Sequence, residues 1–189
     1  MGEHSLNLQR RISKMKTKTK LLMSFLGLLA FGLATGFVGI NAATECVDTT
    51  TLAAGLSEDN ICSSAAFTSG AGSTVRGYVK AIAAVTLGAN SNVGGSVTSG
   101  AAYTSGDTSV VKGSITAKAA YTSGANSIVG GNVVAGADYT SGANSIVNGN
   151  VTVTGDITLG ANSRIVGSVH SGTGVITFGA GATVGSILK

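Results

Sequence analysis

Ala101-Ala102-Tyr103-Thr104-Ser105-Gly106 returns as Ala119-Ala120-Tyr121-Thr122-Ser123-Gly124 and again as Ala137-Asp138-Tyr139-Thr140-Ser141-Gly142. The eighteen-residue spacing extends both ways, with units beginning at Ala65, Ala83, Ala101, Ala119, Ala137, Gly155 and Thr173. A fixed period of this length marks stacked supersecondary units, each too small to bury a core alone. Function is therefore sought on a repetitive surface rather than in one pocket.

Numbering each unit from one to eighteen separates inside from outside. The third position holds Phe67, Val85, Tyr103, Tyr121, Tyr139 and Ile157, and the eleventh holds Val75, Val93, Val111, Val129, Val147 and Ile165. The fifteenth holds Val79, Val97, Ile115, Val133, Val151, Val169 and Ile187. All are odd. Successive strand residues point to opposite faces, so a shared parity puts these side chains on one side, and an even period preserves that parity between units. Charges agree: Arg76, Lys80, Lys112, Lys118, Asp138, Asp156, Arg164 and His170 are even, and in the first six units only Asp107 is odd. Odd residues are expected inside a tube and even residues outside.

Glycine recurs at the sixth and thirteenth positions, from Gly70 to Gly160 and from Gly77 to Gly167, and is read as supplying the bends between short strands. The expected fold is all-β: a single-stranded β-solenoid, or β-helix, of about seven 18-residue, three-faced coils over residues 65–189. With strands roughly 4.8 Å apart, seven coils give a rod of about 34 Å. The seventh unit slips, gaining a residue within Gly174–Gly179 and losing one within Gly181–Val184, as terminal solenoid units often do. An amphipathic helix does not fit. The alternation is two-fold, Val, Thr and Tyr favour strands, and each interior glycine would cost a helix about 1 kcal/mol.

The formal charge of +4 is concentrated near the N-terminus, at Arg10, Arg11, Lys14, Lys16, Lys18 and Lys20. Beyond residue 42, Arg76, Lys80, Lys112, Lys118, Arg164 and Lys189 face Glu45, Asp48, Glu58, Asp59, Asp107, Asp138 and Asp156, six positive against seven negative. Such a chain has no basic stripe to neutralise phosphates, so nucleic acid is not an expected partner. Residues 1–42 read as a signal peptide: lysines at Lys16, Lys18 and Lys20, an apolar run from Leu21 to Ile40, then Ala42. Met15 offers a second start that would leave 1–14 upstream of it. Export is thus expected, to the periplasm, the cell surface or the medium, with a membrane anchor as the alternative if the leader is retained. Residues 43–64 are read as an N-terminal cap closed by a Cys46–Cys62 disulfide, since an exported chain with two nearby thiols can close a small loop.

Catalysis has little material. His170 is the only histidine beyond the leader, with no cysteine or acidic cluster placed to partner it, and nothing calls for a metal or cofactor. The chain is read as a non-enzyme.

The informative position is the fourth. It reads Thr68, Thr86, Thr104, Thr122, Thr140 and Thr158, with Thr177 continuing the series after the slip. Two residues earlier, also outward, stand Ala66, Ala84, Ala102 and Ala120, followed by Asp138 and Asp156. Other outward positions vary: the sixteenth runs Lys80, Thr98, Thr116, Val134, Thr152, His170. Threonine suits an exposed strand and stacks well on its own copies, which by itself explains some of this uniformity.

Ala84-Val85-Thr86-Leu87-Gly88-Ala89-Asn90-Ser91-Asn92-Val93-Gly94-Gly95-Ser96-Val97 and Ile157-Thr158-Leu159-Gly160-Ala161-Asn162-Ser163 resemble the C-terminal coils of the microbial ice-binding, or antifreeze, domain, a secreted β-solenoid. That resemblance implies binding of ice through a flat solenoid face. Its candidate site is the file Thr68, Thr86, Thr104, Thr122, Thr140, Thr158 and Thr177 with Ala66, Ala84, Ala102 and Ala120. The form Gly-Ala-Asn-Ser-x-Val-x-Gly-x-Val also resembles bactofilins, which implies the alternative of an exported, end-to-end self-associating scaffold or adhesin without ice activity.

Overall fold

The computed structural model describes residues 46–188. The leader read in 1–42 lies outside them, as does Lys189. Among the described residues every regular element is a strand, mostly of two or three residues. The strands alternate buried and exposed side chains, as in Tyr121–Ser123, where Thr122 faces out between two buried neighbours.

The chain winds as a solenoid with three faces per coil. Strands on the first face, from Thr51–Leu52 through Phe67–Ser69 to Ile176–Phe178, form a parallel sheet of eight. Those on the second and third faces join into one sheet of fourteen, thirteen of them in one continuous order, because strand Arg164–Ser171 runs through the corner between the two faces. Thr183–Leu188 pairs alongside it. Identical positions of successive units pair directly, for example Tyr103 with Tyr121 and Ile115 with Val133. The period becomes a ladder register.

The sheet on the first face contains one strand more than the seven units supply. Thr51 pairs with Thr68, Ser57 with Thr74 and Ile61 with Val79, so the segment read as a cap is also a coil. Its first strand precedes the next by seventeen residues rather than eighteen, which hides it from a strict period. Cys46 and Cys62 are disulfide-bonded across this coil, with Cα atoms 5.6 Å apart. Beside the bond, Val47 N–H donates to the Asn60 carbonyl at 2.8 Å and Cys62 N–H donates to the Val47 carbonyl at 3.0 Å. The free edge of strand Ile61–Ser63 is thereby covered.

The last unit slips as expected. Thr177 pairs with Thr158 and Val184 with Ile165, both nineteen apart, while Ser186 pairs with Ser168 at eighteen, the register shifting between Ile165 and Ser168.

Parity is corrected at the corners. Positions three, five, nine, eleven, fifteen and seventeen are buried, giving a core of Phe67, Leu87, Tyr103, Tyr121, Val133, Ile157 and their stacked equivalents. Positions one, seven and thirteen instead sit at the three corners, six residues apart. That is why Asp107, at an odd position, is exposed; its Oδ1 accepts from the Ala125 N–H of the next coil at 2.7 Å. Inner serines serve the same corner from within, Ser109 Oγ donating to the Gly106 carbonyl at 2.9 Å.

The sixth-position glycines do not supply unusual backbone angles. The left-handed residue of each coil is at position eight: Asn90, Asn126, Asn144 and Asn162, with φ between 55° and 57°, plus Thr108 at 56°. Gly55, Gly72 and Gly181 fill that place in the remaining coils. Asparagine tolerates this conformation better than most residues. What position six requires is closeness: a Cβ on Gly88 would lie 2.6 Å from the backbone nitrogen of Ala71 in the coil before.

Candidate surface-binding face

The first face assembles the expected threonines in one register. Thr68 pairs with Thr86, Thr86 with Thr104, Thr104 with Thr122, Thr122 with Thr140, Thr140 with Thr158 and Thr158 with Thr177. Thr51 adds an eighth at the N-terminal end, through its pairing with Thr68. The alignment carries it into the file despite its seventeen-residue offset. All eight are exposed.

Strand geometry fixes the spacing of this array. Adjacent strands lie about 4.8 Å apart, so eight threonines span about 34 Å from first to last. Threonine is branched at Cβ and holds few side-chain conformations, so the array is ordered before anything binds. Among the described residues none of the file's hydroxyls hydrogen-bonds within the chain. Those of Thr49, Thr108, Thr154 and Thr173, off the file, do.

The shoulders of the file are low. Ala84, Ala102 and Ala120 are half-buried and Ala66 exposed on one side, while half-buried glycines from Gly70 to Gly160 line the other. Asp138 and Asp156 replace alanine in two coils, and both carboxylates are turned onto backbone. Asp138 Oδ1 accepts from the Asp156 N–H at 2.9 Å, and Asp156 Oδ1 from the Val175 N–H at 2.7 Å. These contacts run along the stack, from one coil to the next.

The other two faces are mixed. The second carries the paired series Ser57, Thr74, Asn92, Val110, Ile128, Ile146, Arg164, Thr183. The third carries Cys62, Lys80, Thr98, Thr116, Val134, Thr152, His170, Leu188. On these faces long, charged and apolar side chains alternate, so the surface is uneven.

His170 is half-buried, its Nδ1 3.3 Å from the Leu188 carbonyl oxygen. Among the described residues no three His, Cys, Asp or Glu side chains gather where they could hold a metal ion. The one ion pair among the described residues, Arg76 with Asp59 at 2.8 Å, is exposed and lies on another side of the coil.

Compared with models of known protein families, with curated proteins and with solved structures, the chain matches none.

Proposed function

We propose that this protein is an exported, non-enzymatic ice-binding solenoid that binds ice through the Thr51 to Thr177 file. The observation that supports this reading is the register of eight exposed threonines along one face, beside two faces whose outward residues vary. On a flat face of this kind, methyl groups order the water above them and hydroxyls fix its position. Both repeat at the strand spacing of about 4.8 Å, a regular template for a lattice. Because the side chains are already ordered, little conformational entropy opposes binding.

The test is thermal hysteresis of residues 43–189, which contain every core residue described. Replacing Thr104, Thr122 and Thr140 with lysine removes the activity while circular dichroism stays that of a β protein. Replacing Thr98, Thr116 and Thr152 with lysine on the third face leaves it. Equal hysteresis in both variants removes the file from consideration. Absence of hysteresis in the parent, with salt-stable filaments in micrographs, selects the scaffold reading instead.

A further inference from the structure

The near-balance of charge beyond residue 42 conceals a division by face. In the first six units every carboxylate borders the first face, Asp107 at one of its corners and Asp138 and Asp156 beside the other, and each accepts a backbone N–H of the next coil. The lysines stand elsewhere. Lys80 projects from the third face, and in the coil of Thr116 Lys112 and Lys118 stand at the two corners of that face. All three are exposed, and among the described residues none forms an ion pair, whereas Arg76 is held by Asp59. Apolar side chains share this side. Of the four large hydrophobics exposed in these units, Ile82 at 70%, Val134 at 45% and Val166 at 41% lie on the third face or its corners, and none lies on the first. Lys80, Thr98, Thr116 and Val134 pair in register, so the three lysines, Ile82 and Val134 fall within three strand spacings, about 14 Å.

We propose that the third face docks on an anionic lipid surface, with Lys80, Lys112 and Lys118 meeting headgroup phosphates and Ile82 and Val134 entering between them. Lysines alone would fit any polyanion. Lysines beside protruding aliphatic side chains fit an interface where anionic headgroups overlie hydrocarbon, because the ammonium groups stay with the phosphates while the aliphatic tips leave water. The corner backbone keeps the long side chains clear of one another. Gly100 follows Ile82 and Gly136 follows Lys118 one coil on, and a Cβ at either glycine would strike the carbonyl of the residue before it in the column. The carboxylates bordering the first face are repelled by the same surface, so the threonine file stays in water. The docking does not depend on what that file binds.

Cosedimentation with vesicles tests this on residues 43–189, since the apolar run Leu21–Ile40 would itself enter lipid. In dilute buffer the expected result is binding to an equimolar mixture of phosphatidylglycerol and phosphatidylcholine, none to phosphatidylcholine alone, and release as salt rises. Replacing Lys80, Lys112 and Lys118 together with glutamine weakens the binding about tenfold or more. The triple change Asn92→Asp, Asn126→Asp and Asn162→Asp lowers the net charge equally but lies away from the third face, and alters binding less than about twofold. Ile82→Ser weakens it about threefold and leaves the salt dependence unchanged, as insertion into lipid requires. No binding to the mixed vesicles, equal binding to both compositions, equal losses in the two triple variants, no effect of Ile82→Ser, or tighter capture by duplex DNA than by the mixed vesicles overturns the proposal.

Discussion

The residue that bends each coil is the one at position eight, and its chemistry is graded along the molecule. Four coils use asparagine, three use glycine, and one uses Thr108 at a φ of 56°. A β-branched residue is the least suited to that region, and the donation of Thr108 Oγ1 to Asn90 Oδ1 at 2.7 Å offsets only part of the strain. Thr108→Asn is expected to stabilise the fold by about 1 kcal/mol, raising the melting temperature by roughly 2–4 °C in a thermal scan. The recurrence of Asn90, Asn126, Asn144 and Asn162 was visible in the sequence, but their role was not. Glycine's greater freedom points to it as the bend, whereas Gly88 and its equivalents are required by the backbone of the neighbouring coil. Close approach between coils is a tertiary fact with no local signature. Asp107 departs from parity for a related reason: parity counts residues evenly, and three corners per turn interrupt the alternation.

At the scale of the strand, in-register stacking turns each repeated position into a column. Tyr103, Tyr121 and Tyr139 show it inside, their rings parallel with centroids 5.2 and 4.8 Å apart, close to the strand spacing. Burial raises the pKa of all three phenols, Tyr121 to about 12, and the neighbouring Tyr121 raises Tyr103 and Tyr139 further. A folded pKa above the unfolded one means that the folded chain holds these protons longer. The stabilisation is therefore complete below pH 10 and falls as pH rises above it, Tyr121 losing its share by about pH 12 and Tyr103 and Tyr139 at higher pH still. Urea denaturation should show constant stability up to pH 10, then a fall that is shallower when the three tyrosines are replaced by phenylalanine. An equal fall in both proteins would place the alkaline sensitivity elsewhere. The strands and their faces were readable because a two-residue alternation and an even period reinforce each other. The first coil was not, since one missing residue between Thr51 and Thr68 breaks the count without breaking the pairing.

For the whole solenoid, the three faces share one backbone and differ only in what they project. That difference was legible in advance at position four, because uniformity of an outward residue needs no structure to detect. Two things needed coordinates: that Asp138 and Asp156 turn their carboxylates onto backbone N–H groups, and that Thr51 extends the row. One face consequently presents eight matched threonines over about 34 Å with low shoulders. Ice recognition is the central claim built on that surface, and it is read most directly by partition into ice. Residues 43–189, labelled with a fluorophore, are held in a dilute solution from which ice is grown slowly on a cold surface. The account predicts enrichment in the ice fraction, and its loss when Thr104, Thr122 and Thr140 become lysine. Exclusion of the parent protein into the liquid, as for an ordinary solute, would contradict it.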